Sequence, residues 1–230
     1  MSLNLNKKER EFALLNKNFQ LLSESLIRQV SLTEGLMCKG WDKDIYEEIL
    51  KNEDYIDSLE VQLMEMIPNL VVLFNPRAVE LRRIVSCHEV VVSLEEIGDF
   101  LIDTIEFLEK TDMNSPDYEE IKLTLTKMFI ATKEIISDAA FSFLYEDKIA
   151  AYRTIAKDKA IESLSCEIKK NSMATFQNRE LKGQEVANVI NVNCISYIIE
   201  RIKDTAIDIA KSAVFVTEGT NIRHKKIENN

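Results

Sequence analysis

Apolar residues recur through this chain at steps of three, four and seven. Phe12, Leu15, Phe19, Leu22, Leu26, Val30 and Met37 form the first such stripe, which predicts a helix over Asn4–Met37. Gly35 and Gly40 bracket its end, and Asp42 is placed to cap a second helix. That helix carries Ile45, Ile49, Ile56, Leu59, Leu63 and Ile67 toward Pro68, where it should end or kink, with Asn69–Phe74 adding a further turn. Asn75-Pro76 reads as a helix start, Asn as cap and Pro at the first helical position, of a third helix reaching about Lys110. The polar segment Thr111–Pro116 is the clearest boundary. Helices over about 117–145, 147–170 and 179–218 follow, with a polar connection at 171–178 and a polar tail. No stretch alternates with strand period.

Part of this text occurs twice. From Glu95 to Asp103, five of nine positions reappear 105 residues later: Glu95/Glu200, Ile97/Ile202, Asp99/Asp204, Ile102/Ile207 and Asp103/Asp208. The same offset lays Ile56-Asp57-Ser58-Leu59 on Ile161-Glu162-Ser163-Leu164, and Glu53 on Asp158. A constant offset across separate stretches marks a duplicated unit. With short connections giving antiparallel neighbours, the expected fold is all-α: a tandem repeat of two antiparallel three-helix bundles, residues 1–114 and 115–230.

Composition narrows the function. With 46% hydrophobic and 30% charged residues, 5 Gly and 3 Pro, the chain is globular and helical rather than disordered or turn-rich. A formal net charge of −10 weighs against nucleic acid as partner, and the short Arg223-His224-Lys225-Lys226 cluster reads as a solvated tail. Asn4 to Glu9 is too polar for a signal peptide, and no apolar run reaches membrane-spanning length, so a cytoplasmic protein is expected. Cys38, Cys87, Cys166 and Cys194 lack metal or redox spacing and read as reduced, small apolar residues.

The duplicated residues include carboxylates four apart. On a helical wheel Glu95 and Asp99, Glu200 and Asp204, Glu53 and Asp57, and Asp158 and Glu162 lie in or beside stripes that should face the bundle interiors. Like charges at that spacing repel, and burying them unpaired costs far more. Three compensators are open: water, Lys or Arg pairing, or a bridging metal, for which oxygen-only ligands suit magnesium, manganese, calcium or iron. Asp103 and Asp208 sit about 80° round the wheel, as rim groups. Glu60 shares the face but is replaced by Ser165, and His88, whose counterpart is Asn193, reads as a packing residue rather than a ligand. A di-iron oxidase would want E-x-x-H motifs, which neither His88 nor His224 supplies.

Asn75-Pro76-Arg77-Ala78-Val79-Glu80-Leu81-Arg82-Arg83-Ile84 resembles the P-x-A-x-D-L-R-x-I segment of the PhoU family of phosphate-uptake regulators. Leu94–Asp99 is similar to its L-E-R-I-G-D motif, Glu200–Ala210 to its E-R-I-G-D-H-A-x-N-I-A, and Ile56–Glu60 to its I-D-x-L-E. The resemblance implies a non-enzymatic, metal-binding negative regulator of phosphate uptake and phosphate-starvation signalling. Such a regulator works through a phosphate transporter subunit and a sensor histidine kinase and meets the membrane only through them, and a homodimer stays open. It implies one carboxylate cluster at Glu53, Asp57, Glu95 and Asp99 and another at Asp158, Glu162, Glu200 and Asp204, holding iron, zinc, manganese or magnesium. The alternative is a metal-free helical scaffold or adaptor. The second copy departs from the pattern: Lys203 replaces Gly, Thr205 replaces His, and Leu181–Val189 lacks P-x-A-x-D-L-R. A Lys at 203 is placed to stand in for metal charge, which makes the second cluster the weaker one.

Overall fold

The structure, a computed structural model, describes residues 6–223. Helix α1 (Lys7–Lys39) starts from a capping box in which Asn6 and Glu9 exchange side-chain and backbone hydrogen bonds. Its buried residues Leu15, Phe19, Leu22, Leu26 and Val30 are the stripe expected from the sequence. Asp42 caps α2 (Lys43–Phe74) by accepting from the backbone N–H groups of Asp44 and Ile45. Pro68 neither ends nor interrupts α2, because Ile67 and Leu70 on either side of it are buried and hold the helix in place.

Asn75 does not start the third helix. It ends the second, in the left-handed conformation (φ 44°, ψ 55°) that Asn tolerates better than most residues, with its N–H on the Val71 carbonyl. Helix α3 (Val79–Glu109) begins three residues after the proline, without a side-chain cap. After a single 3-10 turn at Pro116–Tyr118, helix α4 (Glu119–Leu144) leads to α5 (Lys148–Ala156) and α6 (Asp158–Phe176). The single helix expected over 147–170 is therefore broken at Lys157, immediately before Asp158. Helix α6 also runs into the segment expected to be a connection, because Ser172 and Phe176 are buried. Helix α7 (Gln184–Glu218) starts five residues later than expected. The chain turns at Gly183 (φ 54°), and Arg179 lies outside the helix, paired with Asp117 and Glu185.

Helices α1–α3 make one three-helix bundle and α4–α7 the other, with α5 and α6 together serving as the middle arm. The bundles join along α3 against α7 and α1 against α4. One continuous apolar core runs through both, including Leu22, Leu94, Phe129 and Ile202, with Phe19 and Phe143 in ring contact across the joint at 5.2 Å. Early residues of α3 meet late residues of α7 and its extension, as in the Glu89–Arg223 ion pair at 2.8 Å, so the two helices are antiparallel. Near their middle Glu96 pairs with Arg201 at 3.5 Å. These positions are equivalent in the repeat. Equivalent residues meet across antiparallel helices only where an approximate two-fold axis passes between them. Helices α2 and α6 are left on the outer flanks. Arg223 is thus engaged in the fold, while the rest of the basic cluster expected as a tail lies outside the described residues.

Candidate metal centre

The first-half carboxylates come together between α2 and α3. Glu53 and Glu95 are half-buried, while Asp57 and Asp99 are exposed at the mouth. Burial pushes Glu53 up from 4.5 to about 7; a Gln29 hydrogen bond opposes this, and the charges of Asp57, Asp99 and Asp54 add to it. Burial likewise takes Glu95 to about 7, reinforced by Asp99, Glu60, Asp57 and Glu53. Asp57 and Glu60 are raised by burial and then by neighbouring carboxylates. Glu60, noted in the sequence only as sharing the face, therefore belongs to this electrostatic set. Asp103 is exposed at the rim, and His88 is exposed rather than packed.

Two residues that support the site were not singled out in the sequence. The Gln29 side-chain amide donates to Glu53 Oε2, and Asn52 Nδ2 donates to Gln29 Oε1 at 2.8 Å. Both amides are buried, and they hold one Glu53 oxygen while the other, Oε1, is buried and accepts no hydrogen bond. The signal was available: Gln29 and Asn52 are polar residues set among the buried apolar residues of α1 and α2. Gly98 makes room, since a Cβ there would lie 3.0 Å from Glu53 Oε1 and 3.2 Å from Oε2.

These observations fit a hard cation. The donors are all carboxylate oxygens, and one of them is buried without a partner. Among the described residues, none of the five acids forms an ion pair with Lys or Arg. Among the same residues, no three His, Cys, Asp or Glu side chains already converge on one point. The acids are close enough to perturb one another, and gathering them round an ion would take side-chain rotation.

The second-half residues are arranged differently. Lys203, 3% exposed, places Nζ 2.5 Å from Asp158 Oδ1 and 2.6 Å from Asp204 Oδ1. Burial pulls the Lys203 pKa down, but the hydrogen bonds with Asp158 and Asp204 outweigh it and the net shift is upward. Glu200 turns to Lys169 at 4.0 Å, and Glu162 is exposed. This set already contains its cation and does not fit a metal as it stands.

Taken together, the architecture and the acids define a class: a duplicated helical-bundle protein with a carboxylate cleft between the outer and inner helices of its first half. The model of the PhoU domain matches residues 20–108 and again 125–213, with both bounds of the second match 105 after those of the first, and the chain belongs to the PhoU family. It is 24% identical over 220 residues to a phosphate-specific transport system accessory protein PhoU homolog of Aquifex aeolicus, covering 93% of this chain and 97% of that one. It is 25% identical over 222 residues to a homolog of the same description from Thermotoga maritima, covering 94% and 90%. Among solved structures, the phosphate transport system regulatory protein PhoU from Streptococcus pneumoniae superposes with a TM-score of 0.82 at 19% identity, covering 94% of this chain and 99% of that one. PhoU from Pseudomonas aeruginosa gives a TM-score of 0.75, also at 19% identity, over 92% and 99%.

Proposed function

We propose that this protein is a regulatory accessory subunit of a phosphate transport system, acting by protein contact and not by catalysis. The observation that carries the reading is the match of the PhoU domain to both halves, together with relatives named as phosphate-specific transport accessory proteins over nine-tenths of the chain. In finer terms, it restrains phosphate uptake on the cytoplasmic side of the membrane by contacting a transporter subunit, and it relays phosphate status to a sensor histidine kinase. No helix among the described residues is long and apolar enough to cross a membrane.

The first half would hold a divalent or trivalent cation on Glu53, Asp57, Glu95 and Asp99, with Glu60 beside them. When bound, such an ion supplies positive charge that neutralises the cluster and ties α2 to α3. The chain's own residues prepare this: Gln29 orients Glu53, Asn52 fixes Gln29, and Gly98 leaves the carboxylate its space. Deleting the protein in its native host should raise phosphate uptake on phosphate-replete medium. Unchanged uptake would count against the regulatory role. Elemental analysis of protein purified without chelator should find metal that Asp99→Ala removes.

A further inference from the structure

We infer that Lys203 is a built-in counter-ion that takes the place of a metal in the second half, so that only the first half of this chain is a cation centre. This rests on the first-half reading given above. Repeat-equivalent positions carry the argument. Lys203 is the counterpart of Gly98, and its ammonium binds Asp158 and Asp204, the counterparts of Glu53 and Asp99. Where Gly98 leaves a cleft, Lys203 fills it with a positive charge, and only 3% of the residue reaches solvent.

The support of the site has changed in step. The counterparts of Gln29 and Asn52 are Glu134 and Lys157. In the first half these two positions form a buried amide pair that reaches Glu53. In the second half they form an ion pair at 3.4 Å near the surface, and Lys157 also binds Asp138 at 2.9 Å. Among the described residues, no side-chain amide donates to Asp158 as Gln29 does to Glu53. Asp158 instead opens α6 directly after the break at Lys157, where the helix N-terminus favours its negative charge. Three replacements, Gly to Lys, Gln to Glu and Asn to Lys, thus separate an amide-supported carboxylate cleft from a cluster of ion pairs around a buried ammonium. A buried ammonium with two carboxylates at 2.5 and 2.6 Å offsets part of their charge and holds the position between them that a metal would need.

The test compares Mn²⁺ content and melting temperature of the wild-type chain with those of Lys203→Gly, Lys203→Ala and Lys203→Met. The two small substitutions open the cleft, whereas methionine removes the charge but keeps the bulk. We expect Lys203→Gly or Lys203→Ala to bind more Mn²⁺ per chain than wild type, with the extra lost on adding Asp204→Asn. In EDTA all Lys203 variants should melt below wild type, and Mn²⁺ should restore the glycine or alanine variant but not the methionine one. If wild type binds no Mn²⁺ while the opened variant binds it through Asp204, the first-half reading fails and the role of Lys203 stands. The inference is overturned if the opened variants bind no more Mn²⁺ than wild type. It is equally overturned if Asp204→Asn alone strips Mn²⁺ from the wild-type chain.

Discussion

Gly98 on α3 lies directly against the carboxylate of Glu53 on α2, so close that a methyl group at 98 would stand 3.0 Å from Glu53 Oε1. Glycine inside a helix costs about 1 kcal/mol relative to alanine, so Gly98→Ala would stabilise an open helix surface. Here the carboxylate is anchored by Gln29 and cannot move aside freely. Overpacking of this kind costs about 1–3 kcal/mol. We expect a net loss of stability of about 1 kcal/mol and a metal affinity lower by about 10–100-fold. A variant that melts higher and keeps its metal would show that this contact is unimportant.

Gln29 should matter more than its distance from the exposed acids suggests. Gln29→Leu removes the donor to Glu53 Oε2 and leaves the Asn52 amide without its acceptor at Gln29. Losing a partner to buried polar groups costs about 1–3 kcal/mol. Chemical denaturation of the chelated protein should read that loss directly. The metal titration should weaken as well, because Glu53 is then free to rotate. Unchanged values in both measurements would remove Gln29 from the site.

The helices were legible because each buries one apolar stripe, and the 105-residue offset located both acid sets. Boundaries were less legible where one residue serves opposite ends. Asn caps a helix start through its side chain and ends a helix by tolerating positive φ, and Asn75 does the second. Lys157 breaks the fifth helix without a proline or glycine to announce it. The acids of the first half were read directly from the sequence; their amide support was signalled only by two polar residues lying on apolar stripes, and what Gln29 and Asn52 bind depends on the α1–α2 contact. Lys203 was visible as a departure from the motif. That its ammonium reaches both Asp158 and Asp204 depends on how α6 and α7 pack.

The acid cluster gives the metal-free protein an inverted pH response. Glu53 and Glu95 keep their protons to about pH 7 when folded, against 4.5 for the free side chain. Between those values the folded chain binds more protons than the unfolded one, so their contribution to stability falls as pH rises from about 4.5 to about 7. A bound cation would replace the protons and remove this penalty. In EDTA, the melting temperature should therefore drop across that range by more in wild type than in Glu53→Gln. With metal present, wild type should lose most of that drop. At about 2–4 °C per kcal/mol for a chain of this size, the difference is measurable. Identical pH profiles for wild type and Glu53→Gln in EDTA would contradict the clustering of the acids.

The boundary between the halves is clamped rather than free. Asn188 on α7 accepts from the Asp112 N–H at 3.1 Å and donates to the Asp112 carbonyl at 2.7 Å, and Gln184 donates to the Lys110 carbonyl at 3.0 Å. Asn188 is 4% exposed, so these bonds are largely shielded from water. The polar, proline-ended segment that marks the boundary in the sequence is held in place, with both backbone groups of Asp112 paired by one side chain from the first turns of α7. Asn188→Ala removes both bonds and should cost about 1–3 kcal/mol. The loss should be partly local: limited proteolysis should cut within residues 111–116 faster in the variant than in wild type, before the bundles unfold. Asn188→Asp separates geometry from bonding, because it keeps the acceptor for the Asp112 N–H but turns the donor into a second acceptor facing the carbonyl. It should be at least as susceptible as alanine. If both variants are cut at the wild-type rate, the connection does not depend on the Asn188 bonds.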